Sequence, residues 1–147
     1  MKSLSLFITA LSTTLISCAQ DIPASKVPSV VQNTLQSTFS NAAKIEWEKK
    51  GNLYEAEFEI DNTEYTAHIE ASGKLLVYKV DIAATELPAA ITQAIARDHA
   101  GYQLDDADKL VKDGTTYYQV ELEAKGKKDI KVVYAANGQA ATINYMH

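Results

Sequence analysis

The most constraining feature of the sequence is an apolar helical pattern that occurs twice. In each copy apolar or aromatic residues are spaced four apart, and each residue of the second copy follows its counterpart by 60 positions. The members are Val27, Val31, Leu35 and Phe39 in the first copy, and Leu87, Ile91, Ile95 and His99 in the second. Residues four apart stack on one face of an α-helix, so the pattern predicts two helices of about three turns. Pro28 and Pro88 stand where the first turn of a helix tolerates proline.

After each helix the apolar period changes from four to two, which is typical of a half-buried β-strand. In segments 54–60 and 118–124, aromatic and aliphatic residues alternate with Glu or Gln. Further strands are predicted at 44–49, 64–71 and 75–81, and again at 107–112, 128–135 and 139–145. Ser72-Gly73 and Asn137-Gly138 are tight-turn dipeptides that connect the last two strands of each set.

These patterns predict an α+β fold built by tandem duplication. Each unit is expected to be a helix followed by a four-stranded antiparallel meander, with the two units side by side and sharing one sheet. Because one side of each strand is apolar, the helices are expected to pack on one sheet face and to leave the other face open. The predicted boundaries are residues 27–84 for the first unit and 85–147 for the second.

The segment that precedes the first unit is predicted to direct export. Residues 4–16 form an uncharged, mostly apolar run that follows Lys2 and is shorter than the roughly 20 residues of a membrane span. Leu15-Ile16-Ser17-Cys18 resembles a bacterial lipobox, which implies cleavage before Cys18 and lipidation at Cys18. We therefore expect a signal peptide at 1–17, a tether at 18–26, and a protein of the cell envelope or periplasm that meets the membrane only through this anchor. Ordinary cleavage near Ala19-Gln20 is the alternative, and it predicts export without a lipid.

Composition and motif spacing argue against several functional classes. The formal net charge is −5 and no basic stripe is visible, which argues against nucleic-acid binding. Cys18 is the only cysteine, so neither an intrachain disulfide nor a thiolate zinc site can form. His68, His99 and His147 lack ligand spacing, and the acidic segments 61–62 and 105–108 lack the pattern of a calcium loop. We expect no metal and no cofactor.

The order of the strand and turn motifs resembles the PepSY-like family, small exported proteins of Bacteroidota-type bacteria that are also described as beta-lactamase-inhibitor-like. The resemblance covers about residues 27–145 and includes Ile45-Glu-Trp47, Tyr54-Glu-Ala-Glu-Phe58 and Tyr117-Tyr118-Gln-Val-Glu-Leu122. It implies a tandem α+β module without enzymatic chemistry. It also implies an open sheet face of the kind with which the related inhibitor fold grips a protein partner. PepSY domains proper are associated with inhibition or regulation of proteases outside the cytoplasm.

The residues that alternate with the core positions of the two central strands are the candidate partner-binding residues. If Tyr54 and Tyr118 point toward the helices, their neighbours point toward the open face. These neighbours are Glu55, Glu57, Glu59, Tyr117, Gln119, Glu121 and Glu123. A solvated face without a function explains the same pattern. Catalysis is disfavoured because exposed, similar carboxylates have no means of splitting their pKa values. Trp47, which alternates with Ile45, is expected to lie in the core.

The sequence therefore predicts a non-catalytic binding module that inhibits or regulates an extracytoplasmic enzyme through its open sheet face. Its expected partner is an extracytoplasmic protein. The alternative is a small-ligand carrier or sensor that uses a cleft between the two units, lined by Trp47 or tyrosines. An enzyme is not expected, because the chain has no Gly-x-Ser-x-Gly motif and no Gly-rich phosphate loop.

Overall fold

The computed structural model describes residues 20–143. The predicted signal peptide, Cys18 and His147 lie outside the described residues. Two α-helices occur within the described range, α1 (Ser29–Thr38) and α2 (Ala89–Asp98), and a 3₁₀ turn precedes each of them. The strands are β1 (Gln20–Asp21), β2 (Ala43–Lys50), β3 (Leu53–Ile60), β4 (Thr63–Glu70), β5 (Leu75–Asp81), β6 (Gln103–Lys112), β7 (Thr115–Glu123), β8 (Ile130–Ala135) and β9 (Ala140–Ala141).

All strands in the described range belong to one antiparallel sheet, in which spatial order follows chain order from β1 to β9. Tight turns connect most neighbouring strands. Between β5 and β6 the chain instead makes the excursion through α2, and the two strands then pair from Val77 opposite Lys112 to Asp81 opposite Asp108. The sheet is therefore continuous from one edge to the other.

The predicted fold class is wrong. The described chain is mostly one nine-stranded antiparallel sheet with two helices of ten residues each, and not a helix followed by a four-stranded meander in two copies. The pattern of apolar residues missed β1, a strand of two exposed residues that lies within the predicted tether and pairs with Glu48 and Lys49. It also extended the last strand to residues 139–145, whereas β9 covers only Ala140–Ala141.

The core consists of two clusters of buried apolar side chains. The first includes Val31 and Leu35 of α1 with residues of β2, β3 and β4, and its aromatic rings meet where Phe39 contacts Phe58 and Tyr78. The members of the second cluster are Leu87, Ile91, Ala94, Ile95, Ala107, Val120, Leu122 and Tyr134. No helix within residues 20–143 is long and apolar enough to cross a membrane.

The start of β2 departs from the predicted alternation. Trp47 is buried, as expected, but Ile45 is 36% exposed. The pairing of β2 with β3 is irregular between Ala43 and Glu46, and Lys44 has a φ angle of 52°. A bulge of this kind re-aims side chains at a sheet edge, so Ile45 leaves the core.

Candidate binding face of the sheet

The strand registers bring a set of charged and polar side chains to the sheet face that does not carry the core clusters. Residues that pair across antiparallel strands point to the same face of the sheet. Glu48 and His68, which pair with Glu55, therefore lie on the same face as Glu55. We call this surface the polar face. Its main polar members are Glu46, Glu48, Lys50, Glu55, Glu57, Glu59, Glu64, Thr66, His68, Lys79, Asp81, Asp108, Tyr117, Gln119 and Glu121.

One end of the polar face holds a buried ionic cluster around Glu55. Glu55 is 6% exposed and contacts His68 Nε2, and His68 is itself 2% exposed. Lys50 Nζ lies 2.8 Å from Glu55 Oε1 and 3.5 Å from Glu48 Oε2. The hydrogen bond from His68, with the help of Lys50, overcomes the opposing effect of burial and lowers the pKa of Glu55 to about 2. Glu55 is therefore an ionised, fixed carboxylate and not the solvated side chain that the sequence predicts.

A second buried carboxylate lies where β5 and β6 meet. Asp108 is 3% exposed and faces Asp81 directly across the two strands. Lys79 Nζ lies 3.3 Å from Asp108 Oδ1, and the side-chain amide of Gln119 donates to Oδ2 at 3.1 Å. Burial and the hydrogen bond with Asp81 outweigh Lys79 and raise the pKa of Asp108 to about 6.

Between these two clusters the polar face has an apolar floor. Val77 lies opposite His68, and Leu110 lies opposite both Lys79 and Tyr117. Both aliphatic side chains are almost fully buried although they belong to neither core cluster. The expectation of an open, solvated face is thus wrong at its centre, where Val77 is 1% and Leu110 0% exposed.

A depression of about 440 Å³ opens on the polar face over β2 to β5. Six carboxylates and three lysines contribute to its lining, together with Phe58, Tyr65 and Thr66. The charged members are Glu46, Glu55, Glu57, Glu59, Glu64, Asp81, Lys44, Lys50 and Lys79. This cavity therefore lies over the first half of the sheet, and not at the junction where the small-ligand alternative expects a cleft.

The predicted residues on β7 lie on the same face but farther along the sheet. Tyr117, Gln119 and Glu121 are half-buried, whereas Glu123 is exposed. Glu121 faces Lys131 across β7 and β8, with 3.2 Å between Oε2 and Nζ. Gln119 is tied to Asp108. Nothing in the fold tests whether any of the predicted residues touches a partner, so that role stays a prediction.

Sequence reasoning missed Lys50, His68 and Lys79, which hold acidic side chains in place, and it also missed the buried carboxylate of Asp108. The contact between Glu55 and His68 could have been found from the sequence. A two-residue turn at Asp61-Asn62 sets the register of β3 and β4, and this register pairs residue 55 with residue 68. Within residues 20–143, no group of three or more His, Cys, Asp or Glu side chains is arranged so that it could bind a metal ion.

The described chain is thus a small module with one extended antiparallel sheet, two short helices and a structured polar face. The sequence model of the family described as "Putative beta-lactamase-inhibitor-like, PepSY-like" matches residues 14–77 and 76–141. The chain therefore belongs to the PepSY-like family, which confirms the resemblance seen in its motifs. The family description is that of inhibitor-like proteins. No curated protein matches the chain.

Solved structures share the fold. A BLIP-like protein from Bacteroides fragilis NCTC 9343 is 24% identical, with a TM-score of 0.67 over 78% of this chain and 84% of that one. A DUF2874 family protein from Bacteroides uniformis ATCC 8492 is 16% identical, with a TM-score of 0.72 over 78% and 86%. A "putative periplasmic" protein from Bacteroides eggerthii DSM 20697 is 16% identical, with a TM-score of 0.73 over 79% and 86%.

Proposed function

We propose that this protein is an exported, non-catalytic binding module that inhibits or regulates an extracytoplasmic enzyme by binding it on the polar face. The observation that carries the proposal is the pair of buried ionic clusters, Lys50–Glu55–His68 and Lys79–Asp108. Burying charges is unfavourable unless they are paired, and apolar residues of similar volume often stabilise a fold as well as a buried ion pair does. Here the clusters fix the shape and charge of a surface.

Such a surface suits recognition better than catalysis. Binding is favoured when the interacting groups are already held in place, because less conformational freedom is lost on association. The buried carboxylates are occupied by lysine, histidine or glutamine, whereas Glu46 and Glu57 at the side of the depression are exposed. Exposed charges mainly steer association, and Tyr117 supplies an aromatic side chain of the kind that anchors interfaces.

Family membership and the names of the structural relatives support the same class. The family is described as inhibitor-like, and the relative from Bacteroides eggerthii carries a periplasmic description. We extend that location to this chain, with lipidation at Cys18 as part of the proposal. Mass spectrometry of the processed N-terminus tests the anchor, since acylated Cys18 is expected and an unmodified chain that starts after Ala19 would contradict it.

Binding kinetics test the function. The mature protein is used to capture its partner from an envelope extract, and the partner is then bound to immobilised variants. Tyr117→Ala is expected to accelerate release, which corresponds to about 1–2 kcal/mol for an interface anchor. Glu57→Lys with Glu121→Lys is expected to slow association at low salt, and less so at high salt. Val30→Lys on the exposed side of α1 is the control and is expected to leave both rates unchanged. Unchanged kinetics for the polar-face variants would place the binding surface elsewhere.

A further inference from the structure

From β2 to β7 the polar face contains five places where two carboxylates face each other directly across neighbouring strands. The pairs are Glu46 with Glu57, Glu48 with Glu55, Glu59 with Glu64, Asp81 with Asp108, and Asp106 with Glu121. Like charges at directly opposed positions destabilise a sheet. A sequence that keeps such pairs departs from what stability alone favours, and departures of this kind are expected at functional sites.

Four of the five pairs have a lysine of the chain itself. Lys50 lies against Glu48 and Glu55, and Lys44 Nζ lies 2.7 Å from Glu59. Lys79 approaches Asp108, and Lys131 Nζ lies 3.2 Å from Glu121. The Glu46–Glu57 pair differs, because within residues 20–143 neither carboxylate has a lysine, arginine or histidine within 4.0 Å. Glu46 and Glu57 both belong to the exposed residues of their strands. The pKa of Glu57 is nevertheless raised, first by the partial loss of water around its carboxylate and then by the negative charges of Glu55, Glu48 and Glu46.

This uncompensated pair stands between two depressions. Glu46 and Glu57 line the depression over β2 to β5, and both also line a second depression of about 400 Å³ at the β2 edge of the sheet. We call the second depression the edge cleft. Its other lining residues are Asp21, Ile22, Pro23, Ala24, Ile45, Trp47 and Glu48. It thus offers apolar surface, including the exposed side chain of Ile45, directly beside two unpaired carboxylates.

The edge cleft exists because β1 is short. β1 covers β2 only at Glu48 and Lys49, with one further backbone bond from Ile22 to Trp47, and the chain then turns away at Pro23. The outer side of β2 from Ala43 to Glu46 is therefore uncovered by any strand of the described chain, and these four residues are exposed.

On this basis we propose that Glu46 and Glu57 receive a lysine or arginine side chain of a partner protein, while an apolar neighbour of that residue lies in the edge cleft. The inference rests on the proposed function and names the chemistry of its partner. A cation placed here relieves the repulsion within the pair, and the apolar contact excludes water from the new ion pair, which strengthens it. A second copy that apposes the same edge by two-fold symmetry would instead bring four carboxylates together.

The test uses the single tryptophan of the chain, Trp47, whose fluorescence reports on the edge cleft. The probe is a short synthetic peptide with a Leu-Lys-Leu centre in a Gly-Ser context. Its two controls carry Glu or norleucine in place of Lys. We expect the Lys peptide to change the fluorescence at lower concentration than either control, and added salt to weaken its binding.

The matched variants separate binding from stability. Glu46→Gln with Glu57→Gln is expected to weaken binding of the Lys peptide by about tenfold, the loss expected for a charge-assisted bond. The same double variant is expected to unfold at higher urea concentration than the parent, because the repulsion is gone. Asp113→Asn with Asp129→Asn removes the same formal charge from exposed positions of the other half and is expected to change neither quantity.

Several outcomes would overturn the inference. Equal binding of the Glu and Lys peptides would do so, as would an unchanged affinity of the double glutamine variant. Concentration-dependent self-association that this variant abolishes would assign the edge to a second copy. If the envelope partner still binds through Tyr117 while the double variant binds it normally, the inference fails and the proposed function stands. If no polar-face variant affects that partner, both fail.

Discussion

Glu55 and His68 lie directly opposite each other on β3 and β4, and the imidazole Nε2 of His68 contacts the Glu55 carboxylate where both side chains are buried. Lys50 completes this cluster from β2. Three strands of the sheet are therefore connected by charges on the side opposite the core. The polar face is thus part of the folded structure, and substitutions in this cluster are expected to affect stability.

Truncation of Glu55 is expected to destabilise the protein strongly. Glu55→Ala leaves buried His68 and the ammonium of Lys50 without their carboxylate, and breaking a buried pair costs about 3–5 kcal/mol. Glu59→Ala is the matched control, because its partner Lys44 is 72% exposed and an exposed pair contributes about 0–1 kcal/mol. Urea denaturation measures both changes, and equal losses would mean that the Glu55 cluster contributes no more than a surface ion pair.

The lowered pKa of Glu55 also predicts that the folded protein loses stability at acidic pH, and we call this part of the pH profile the acid limb. The pKa of Glu55 falls from 4.5 to about 2 on folding, so the unfolded chain binds more protons between these values. Its contribution is fully present above pH 4.5, and about 2–3 kcal/mol is expected to disappear as the pH falls toward 2. Denaturation at several pH values checks this. Glu55→Gln is expected to flatten the limb, and a limb as steep as that of the parent would contradict the assignment.

The raised pKa of Asp108 is expected to make stability fall, and not rise, with increasing pH above about pH 4. This pKa rises from 3.8 to about 6 on folding, so the folded state binds more protons in this window. Stability is expected to fall as the pH rises from about 4 to 6, by about 2–3 kcal/mol. Asp108→Asn is expected to remove this decline, so that the variant gains relative to the parent as the pH increases. A decline that persists in the variant would assign it to other groups.

Two glycine turns with positive φ angles predict a contrast in backbone substitutions. Gly138 has a φ angle of 80°, and an added Cβ would lie 2.9 Å from the carbonyl carbon of Ala90 at the start of α2. Gly51 has a φ angle of 62° but open space around it. Both alanine variants carry the strain of positive φ, whereas Gly138→Ala also displaces α2, so it is expected to lower the midpoint of thermal unfolding further. Equal shifts would mean that the turn and α2 can separate freely.

The sequence reveals some of these relations and conceals others for physical reasons. Asp61 and Asn62 have φ angles of 52° and 64°, the conformation of a two-residue hairpin turn, and such a turn fixes the register that brings Glu55 to His68. That contact was accessible from local information. The facing of Asp81 and Asp108 was not, because α2 separates their strands along the chain and β6 carries an irregularity between Leu104 and Asp106.

The same limit applies to burial and to the fold class. Alternation correctly assigned Trp47 to the core, but it could not reveal that the bulge near Lys44 turns Ile45 outward. It also assigned Glu55 to solvent, since a pattern of single residues contains no information about a partner on the next strand. The two-residue strands β1 and β9 are too short to show any period, and this is why the two edges of the sheet were not predicted.

Site-specific photocrosslinking tests the central claim, that a partner binds on the polar face, most directly. A benzophenone amino acid is placed at Glu57 or Tyr117 on the polar face, and at Val30 or Thr92 on the exposed sides of the helices, and the mature protein is illuminated in an envelope extract. The account predicts that the polar-face positions form a crosslink to the same protein and that the helix positions do not. Crosslinks to one protein from the helix positions alone would contradict it.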